Sequence, residues 1–157
     1  MDKLWAPWRI NYVNSQKKSK GCIFCHAKTG KSQNQVIFKT RFSICMLNIY
    51  PYNNGHLLIS PLRHIADISL MRDCEILDLF SCVNKAKDLL KKVLKPQGYN
   101  IGFNLTRVAG AGIAGHLHLH IVPRWVGDTN FMPVIFGTKI ISQSLEQLAR
   151  ELKNANR

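Results

Sequence analysis

Acidic side chains are scarce in this sequence: 9 Asp and Glu stand against 22 Lys and Arg, giving a formal charge of +13 and a pI near 9.9. Long apolar runs are missing too, since no stretch approaches the ~18 consecutive apolar residues of a membrane span. The first residues, Met1-Asp2-Lys3-Leu4-Trp5, lack the charged-then-apolar layout of a secretory signal. A soluble cytoplasmic protein with no membrane association is expected. Repeats, low-complexity tracts and linker-like stretches are also absent, so residues 1–157 read as a single domain. The five cysteines are odd in number, and only Cys22 and Cys25 have an informative spacing, which argues against a secreted disulfide framework. Cys45, Cys74 and Cys82 lie in apolar segments and read as buried small hydrophobes.

What is present is a globular balance, with 46% hydrophobic and 20% charged residues and a mean hydropathy of -0.09. A disordered chain would carry far fewer apolar residues. The positive charge would attract nucleic acid or small phosphorylated ligands and does not choose between them. It equally fits a solvated surface, because Lys85, Lys87, Lys91, Lys92 and Lys95 fall within one expected helix.

Residues 1–32 show neither helical nor strand periodicity and are expected to wrap irregularly onto the rest, bringing with them the Cys22 and Cys25 pair. Strand-like runs follow at Gln35–Lys39, Phe42–Leu47 and His56–Ser60, the last two separated by the turn-forming Tyr50-Pro51-Tyr52-Asn53-Asn54-Gly55. From about Arg72 to Leu94, apolar residues including Ile76, Leu79, Phe80 and Val83 recur at three- and four-residue intervals, and Pro96 and Gly98 supply a stop. This predicts one long amphipathic helix. Two further strands, Tyr99–Asn104 and His116–Pro123, flank a loop rich in Gly and Ala. A C-terminal helix is expected over 142–154, with Ser144 and Gln147 placed for a capping box. Strands distant in sequence around a long helix imply an α+β domain, with a mainly antiparallel sheet of about five strands.

The strongest chemical signal is His116-Leu117-His118-Leu119-His120, which holds half of the six histidines. In an extended chain the side chains alternate, so the three imidazoles share one face and the leucines the other. Such a row suits a metal site or catalysis better than mere surface. The preceding Ala109-Gly110-Ala111-Gly112-Ile113-Ala114-Gly115 is either a tight turn or a loop whose backbone N–H groups approach a phosphate. Cys22-x-x-Cys25 has the spacing of half a zinc site, with His64 and His116 as candidates for the other half. A redox pair and two unrelated thiols are the competing readings.

The pattern His116-Leu-His118-Leu-His120-Ile-Val resembles the motif of the histidine triad family. With Asn48, Pro51, Gly55-His56-Leu57-Leu58-Ile59, Pro61 and His64, the resemblance spans most of the chain, from Cys22 to Trp125. The segments Trp5-Ala6-Pro7-Trp8-Arg9 and Pro123-Arg124-Trp125 through Phe131 are similar to the branch that includes bacterial diadenosine tetraphosphate phosphorylases. The resemblance implies the histidine triad fold, a homodimer and a nucleotidyl hydrolase or transferase with an adenine preference. In it, His118 would attack the α-phosphorus of a nucleoside polyphosphate, His120 would contact the phosphate, His56 would support the site, and Asn48 would face the ribose. A structural zinc would be held by Cys22, Cys25, His64 and His116. Many relatives place Gln and Ser or Thr where this chain has Gly112 and Ile113. Backbone groups of Gly110–Gly112, or Asn104, would then stand in beside the phosphates.

Two other functions remain at this point. One is a purine-nucleotide-binding signalling module with little catalysis, which the Gly112-Ile113 pair keeps open. The other is nucleic-acid binding, which rests on charge alone, since no familiar nucleic-acid motif is present.

Overall fold

The computed structural model describes residues 21–30, 35–128 and 141–157. The segments Trp5–Arg9 and Thr129–Phe131 singled out in the sequence lie outside these. Five strands, β1 (Val36–Lys39), β2 (Ser43–Leu47), β3 (Leu57–Pro61), β4 (Gly98–Phe103) and β5 (Leu119–Arg124), form one sheet in the order β1-β2-β3-β5-β4. Every pairing is antiparallel. The helices are α1 (Ile23–Lys28), α2 (Asp73–Leu94) and α3 (Leu145–Ala155), with a 3-10 turn at Ile68–Leu70. None of the helices among the described residues is long and apolar enough to cross a membrane.

Alternation along the strands divides the sheet into two faces. Cys45, Leu47, Leu57, Ile59, Leu119 and Ile121 point to one side and pack with Leu79, Cys82, Val83, Ala86 and Leu90 of α2 and with Leu148, Ala149 and Leu152 of α3. Ile44, Met46 and Leu58 point to the other side and pack with Phe24 and Ala27 of α1. The triad histidines lie on this second face, away from the main core. The register places His120 between Leu58 of β3 and Gly102 of β4.

Several expectations change in detail. Residues 23–28, expected to be irregular, form α1; six residues are under two turns, too few for a periodic signal, and the helix is fixed by burying Phe24 and Ala27. The strand expected from His116 enters its ladder only at Leu119, because the Leu117 N–H bonds to the Ile65 carbonyl instead of to β3. Cys45 and Cys82 are buried as expected, but Cys74 is exposed on α2. Phe80, placed on the apolar stripe, is 53% exposed. Half of the C-terminal capping box forms: Ser144 Oγ accepts from the Gln147 N–H at 3.2 Å, whereas the Gln147 side chain turns to Glu151 at 2.9 Å. Lys85, Lys91, Lys92 and Lys95 are exposed, in line with a solvated face.

One glycine is required for the turn that delivers His56. Gly55 has φ +76°, and a Cβ there would lie 2.5 Å from Leu94 Cδ1 and 3.1 Å from both Leu90 Cδ2 and Pro123 Cγ. The chain therefore passes directly over the end of α2 before entering β3.

Candidate active site and metal cluster

Five of the six histidines converge on the α1 side of the sheet, in two groups that share the strand-leading segment 116–120. In the first group, Cys22, Cys25, His64 and His116 bring one ligand atom each to within 4.8 Å of one another. Cys22 Sγ is 3.1 Å and Cys25 Sγ 3.7 Å from His116 Nδ1, while His64 Nδ1 is 3.4 Å from Cys25 Sγ and 3.1 Å from His116 Nδ1. These separations suit four donors around one tetrahedral ion. The opposite side of the His116 ring settles which nitrogen faces the cluster. Its Nε2 lies 2.9 Å from the Pro61 carbonyl, which can only accept, so Nε2 carries the proton and Nδ1 presents a lone pair. Burial also lowers the His116 pKa to about 4, which keeps the imidazole in its ligating neutral form. The cluster is thus a Cys/His site capable of holding a metal ion.

The second group is a chain of imidazoles whose protons can be assigned in sequence. The Tyr52 N–H lies 3.0 Å from His56 Nδ1, and a backbone amide can only donate, so this nitrogen is an acceptor. Asn48 Nδ2 approaches the same atom at 3.1 Å, and Asn48 Oδ1 in turn accepts from the Tyr50 N–H at 2.9 Å. The His56 proton therefore sits on Nε2, 2.9 Å from His120 Nδ1, to which it donates. Neutral His120 must then carry its own proton on Nε2. That atom is buried and has no hydrogen-bond partner among the described residues.

His118 has the reverse polarity. Its Nδ1 is 2.8 Å from the His116 carbonyl and donates to it, leaving the unshared pair on Nε2. Its ring centroid stands 5.0 Å from that of His120. Burial is the first cause lowering all three pKa values: His118 falls below its ordinary value, His120 to about 4 and His56 to about 3, the last two also through neighbouring imidazoles. At neutral pH the site therefore presents an uncharged nucleophilic nitrogen next to an N–H donor that lacks a partner. This pair can attack an electrophile and bond to an oxygen attached to it.

The loop expected to cradle phosphate uses some of its own donors. The Gly110 N–H bonds to the Arg107 carbonyl at 3.0 Å and the Ala111 N–H to that of Thr106 at 3.1 Å. Gly110 (φ +92°) lets the loop approach Asn104, whose Nδ2 would stand 3.5 Å from a Cβ there. Ile113 packs on the Phe24 cluster and anchors the loop to α1. Two residues not foreseen as part of the site are Tyr52 and Phe24. Tyr52 stacks on His120 with ring centroids 5.7 Å apart and planes at 12°. Phe24 contacts the rings of both His116 and His118. An aromatic between two metal-type cysteines was the available signal for Phe24, whereas nothing in the sequence marked Tyr52 beyond its place in the turn.

A model of the HIT domain family matches residues 29–126, which include His56, His64 and the whole triad. The chain belongs to the HIT family. It is 35% identical to the AP-4-A phosphorylase of Mycobacterium tuberculosis over 161 residues, covering 97% of this chain and 83% of that protein. It is also 33% identical to the asymmetrical bis(5'-nucleosyl)-tetraphosphatase of Schizosaccharomyces pombe, over 60% of this chain and 52% of that protein. Among solved structures, a zinc-bound histidine triad family protein from Mycobacterium smegmatis superposes with a TM-score of 0.69 at 23% identity, covering 87% of this chain and 93% of that one. The fold is thus the HIT fold. Both of these sequence relatives are named as enzymes, and the chain is a HIT enzyme of the nucleotide hydrolase and transferase type.

Proposed function

We propose that this HIT enzyme, read as one domain over 1–157, transfers a nucleotidyl group through His118 and passes it to inorganic phosphate, with diadenosine tetraphosphate as substrate. The observation that carries the proposal is the opposed proton placement on two adjacent rings: a lone pair on His118 Nε2 and a proton on the unpartnered His120 Nε2. In the first step His118 Nε2 bonds to the α-phosphorus, and the bond to the departing polyphosphate oxygen breaks with its electron pair, releasing ATP. His120 Nε2–H donates to a non-bridging oxygen of the same phosphorus, where charge accumulates. In the second step a phosphate oxygen attacks, the phosphorus–nitrogen bond breaks, and the pair returns to His118, giving ADP. Asn48 and His56 hold this geometry, and Asn48 also stands on the ribose side. Asn104, Gly110, Gly112 and Ile113 border the phosphates.

The choice of phosphate over water is supported by the similarity to the mycobacterial phosphorylase and by the +13 charge, which draws an anionic second nucleophile. Gly102, paired with His120, leaves room on this face for a nucleotide, as a Cβ there would meet nothing within 4 Å. A purely nucleotide-binding module would have no need of a proton order that ends on a free donor. In the Cys22, Cys25, His64 and His116 cluster we place a structural zinc, since two thiolates and two imidazoles form a closed set for that ion. The zinc would tie α1 to the catalytic segment.

A homodimer is supported by β4, an edge strand with exposed Asn100, Ile101 and Gly102, and by exposed Leu77 and Phe80 on α2. A second copy would cover this edge, which is unpaired among the described residues, and the apolar surface. A cytoplasmic setting fits as well, because it keeps the five free cysteines reduced, among them Cys22 and Cys25 of the metal cluster. The test is to supply diadenosine tetraphosphate with labelled inorganic phosphate and separate the products. Label in ADP, alongside ATP, is expected; AMP without label at millimolar phosphate would mean water is the second nucleophile.

A further inference from the structure

Phe24 lies between the two cysteines of the metal cluster in sequence, yet its side chain points to the catalytic row. It is 1% exposed, with its ring centroid 5.1 Å from that of His116 and 5.2 Å from that of His118. On its other sides it packs with Ala27, Ile44, Met46 and Leu58, so it has little freedom to rotate away. Among the described residues, His118 makes one hydrogen bond through its ring, from Nδ1 to the His116 carbonyl. That bond anchors the Nδ1 edge of the imidazole, and the Nε2 edge is held by packing. The His118 ring is enclosed by Phe24 at 5.2 Å with planes at 32°, and by His120 at 5.0 Å with planes at 57°.

We propose that Phe24 is a positioning residue for His118, and that closure of the Cys22/Cys25 cluster sets the direction of the catalytic imidazole by fixing the helix that carries Phe24. The cysteines flank Phe24 on both sides, so the position of its Cα follows from the position of their sulfurs. The His116 ring is gripped at Nδ1 by the cluster and at Nε2 by Pro61, while its backbone carbonyl holds His118 Nδ1. The metal cluster thus reaches the nucleophile twice, once through the Phe24 ring and once through the His116 carbonyl. The carbonyl holds the Nδ1 edge of the His118 ring, and the Phe24 ring packs against the ring itself. Displacement of a reacting atom by about 1 Å can cost about 10²-fold in rate, so this packing belongs to turnover more than to nucleotide affinity.

This inference rests on His118 being the nucleophile, and its test keeps the two apart. Phe24→Leu, Ile44→Val and His118→Ala are prepared as full chains, with zinc content, kcat, KM and the His118 imidazole NMR resonances measured for each that retains its ring. Phe24→Leu is expected to keep wild-type zinc content and a KM within about threefold. Its kcat should fall at least about tenfold, and its His118 resonances should shift or broaden. Ile44→Val removes one methylene from the same cluster but keeps the Phe24 ring, and should keep both kcat and resonances. Removing zinc from the wild type should move the His118 resonances in the direction seen in Phe24→Leu. Should Phe24→Leu fail to fold or to load zinc, Phe24→Met is read by the same criteria. A zinc-loaded Phe24 variant with wild-type kcat and resonances overturns the proposal, as does an equal loss in Ile44→Val. An active His118→Ala would overturn the nucleophile assignment instead.

Discussion

His56 Nε2 donates to His120 Nδ1 across 2.9 Å, and the Tyr52 backbone N–H fixes the direction of that bond by occupying His56 Nδ1 at 3.0 Å. A backbone amide cannot reverse its polarity, so the proton order of both rings is set from outside the site. His56→Phe keeps a ring of similar shape but removes the donor, which frees His120 to adopt the other tautomer. A fall in kcat of about 10–100-fold with little change in nucleotide affinity is expected, by steady-state rates and equilibrium binding of AMP. An unchanged kcat would show that the order of protons is irrelevant.

His120→Ala removes the N–H itself. Loss of one donor to a developing oxyanion costs about 10²–10³-fold in kcat, and that is the range expected here. The effect should exceed that of His56→Phe, since His56 acts through His120. The reverse ranking, measured under saturating substrate, would contradict the roles given to the two rings.

The motif singled out histidines that the structure brings together, but not their wiring. Alternation in His116–His120 placed three imidazoles opposite Leu117 and Leu119, and in the structure Leu119 enters the main core while His116 and His118 pack against Phe24 on the other face. The long helix was equally visible, its period sustained over 22 residues. By contrast, α1 is too short for a period, and its position depends on contacts with Ile44, Met46 and Leu58 far along the chain. Hydrogen-bond directions were likewise invisible. They depend on Pro61, Tyr52 and the His116 carbonyl, backbone groups whose availability follows from the fold alone. Exposure of Phe80 misled the pattern because an apolar stripe marks burial without naming what buries it.

The buried histidines make the fold sensitive to acid. His56 and His120 titrate at about 3 and about 4 in the folded chain, against 6.5 for a free side chain. Well above pH 6.5 both are neutral whether folded or unfolded, so they impose no pH dependence there. Below it the unfolded chain takes up protons that the folded chain refuses. Stability therefore falls as pH drops from 6.5, with the His120 part complete near 4 and the His56 part near 3. Thermal melts from pH 7.5 downward should show Tm declining, and His56→Phe should decline less steeply. Parallel curves for the two proteins would contradict burial of a neutral His56.

Loss of a ligand should be felt in stability. Cys22→Ser or Cys25→Ser opens a four-donor cluster and releases α1, which buries Phe24 and Ala27. A loss of about 2–3 kcal/mol would lower Tm by about 5–10 °C in a chain of this size. Elemental analysis should give about one zinc per chain for the wild type and less for the variants. Metal-free wild-type protein with an undiminished Tm would contradict a structural metal.

The nucleotidyl-histidine step is open to direct observation. The wild type, mixed with diadenosine tetraphosphate in the absence of inorganic phosphate and quenched within the first turnovers, should gain the mass of one adenylyl group. Peptide mapping should place the group on His118 Nε2, and the adduct should disappear on adding phosphate. His118→Ala should bind nucleotide, form no adduct and lose at least about three orders of magnitude in kcat. An adduct on another residue, or turnover at the wild-type rate in His118→Ala, would contradict the account.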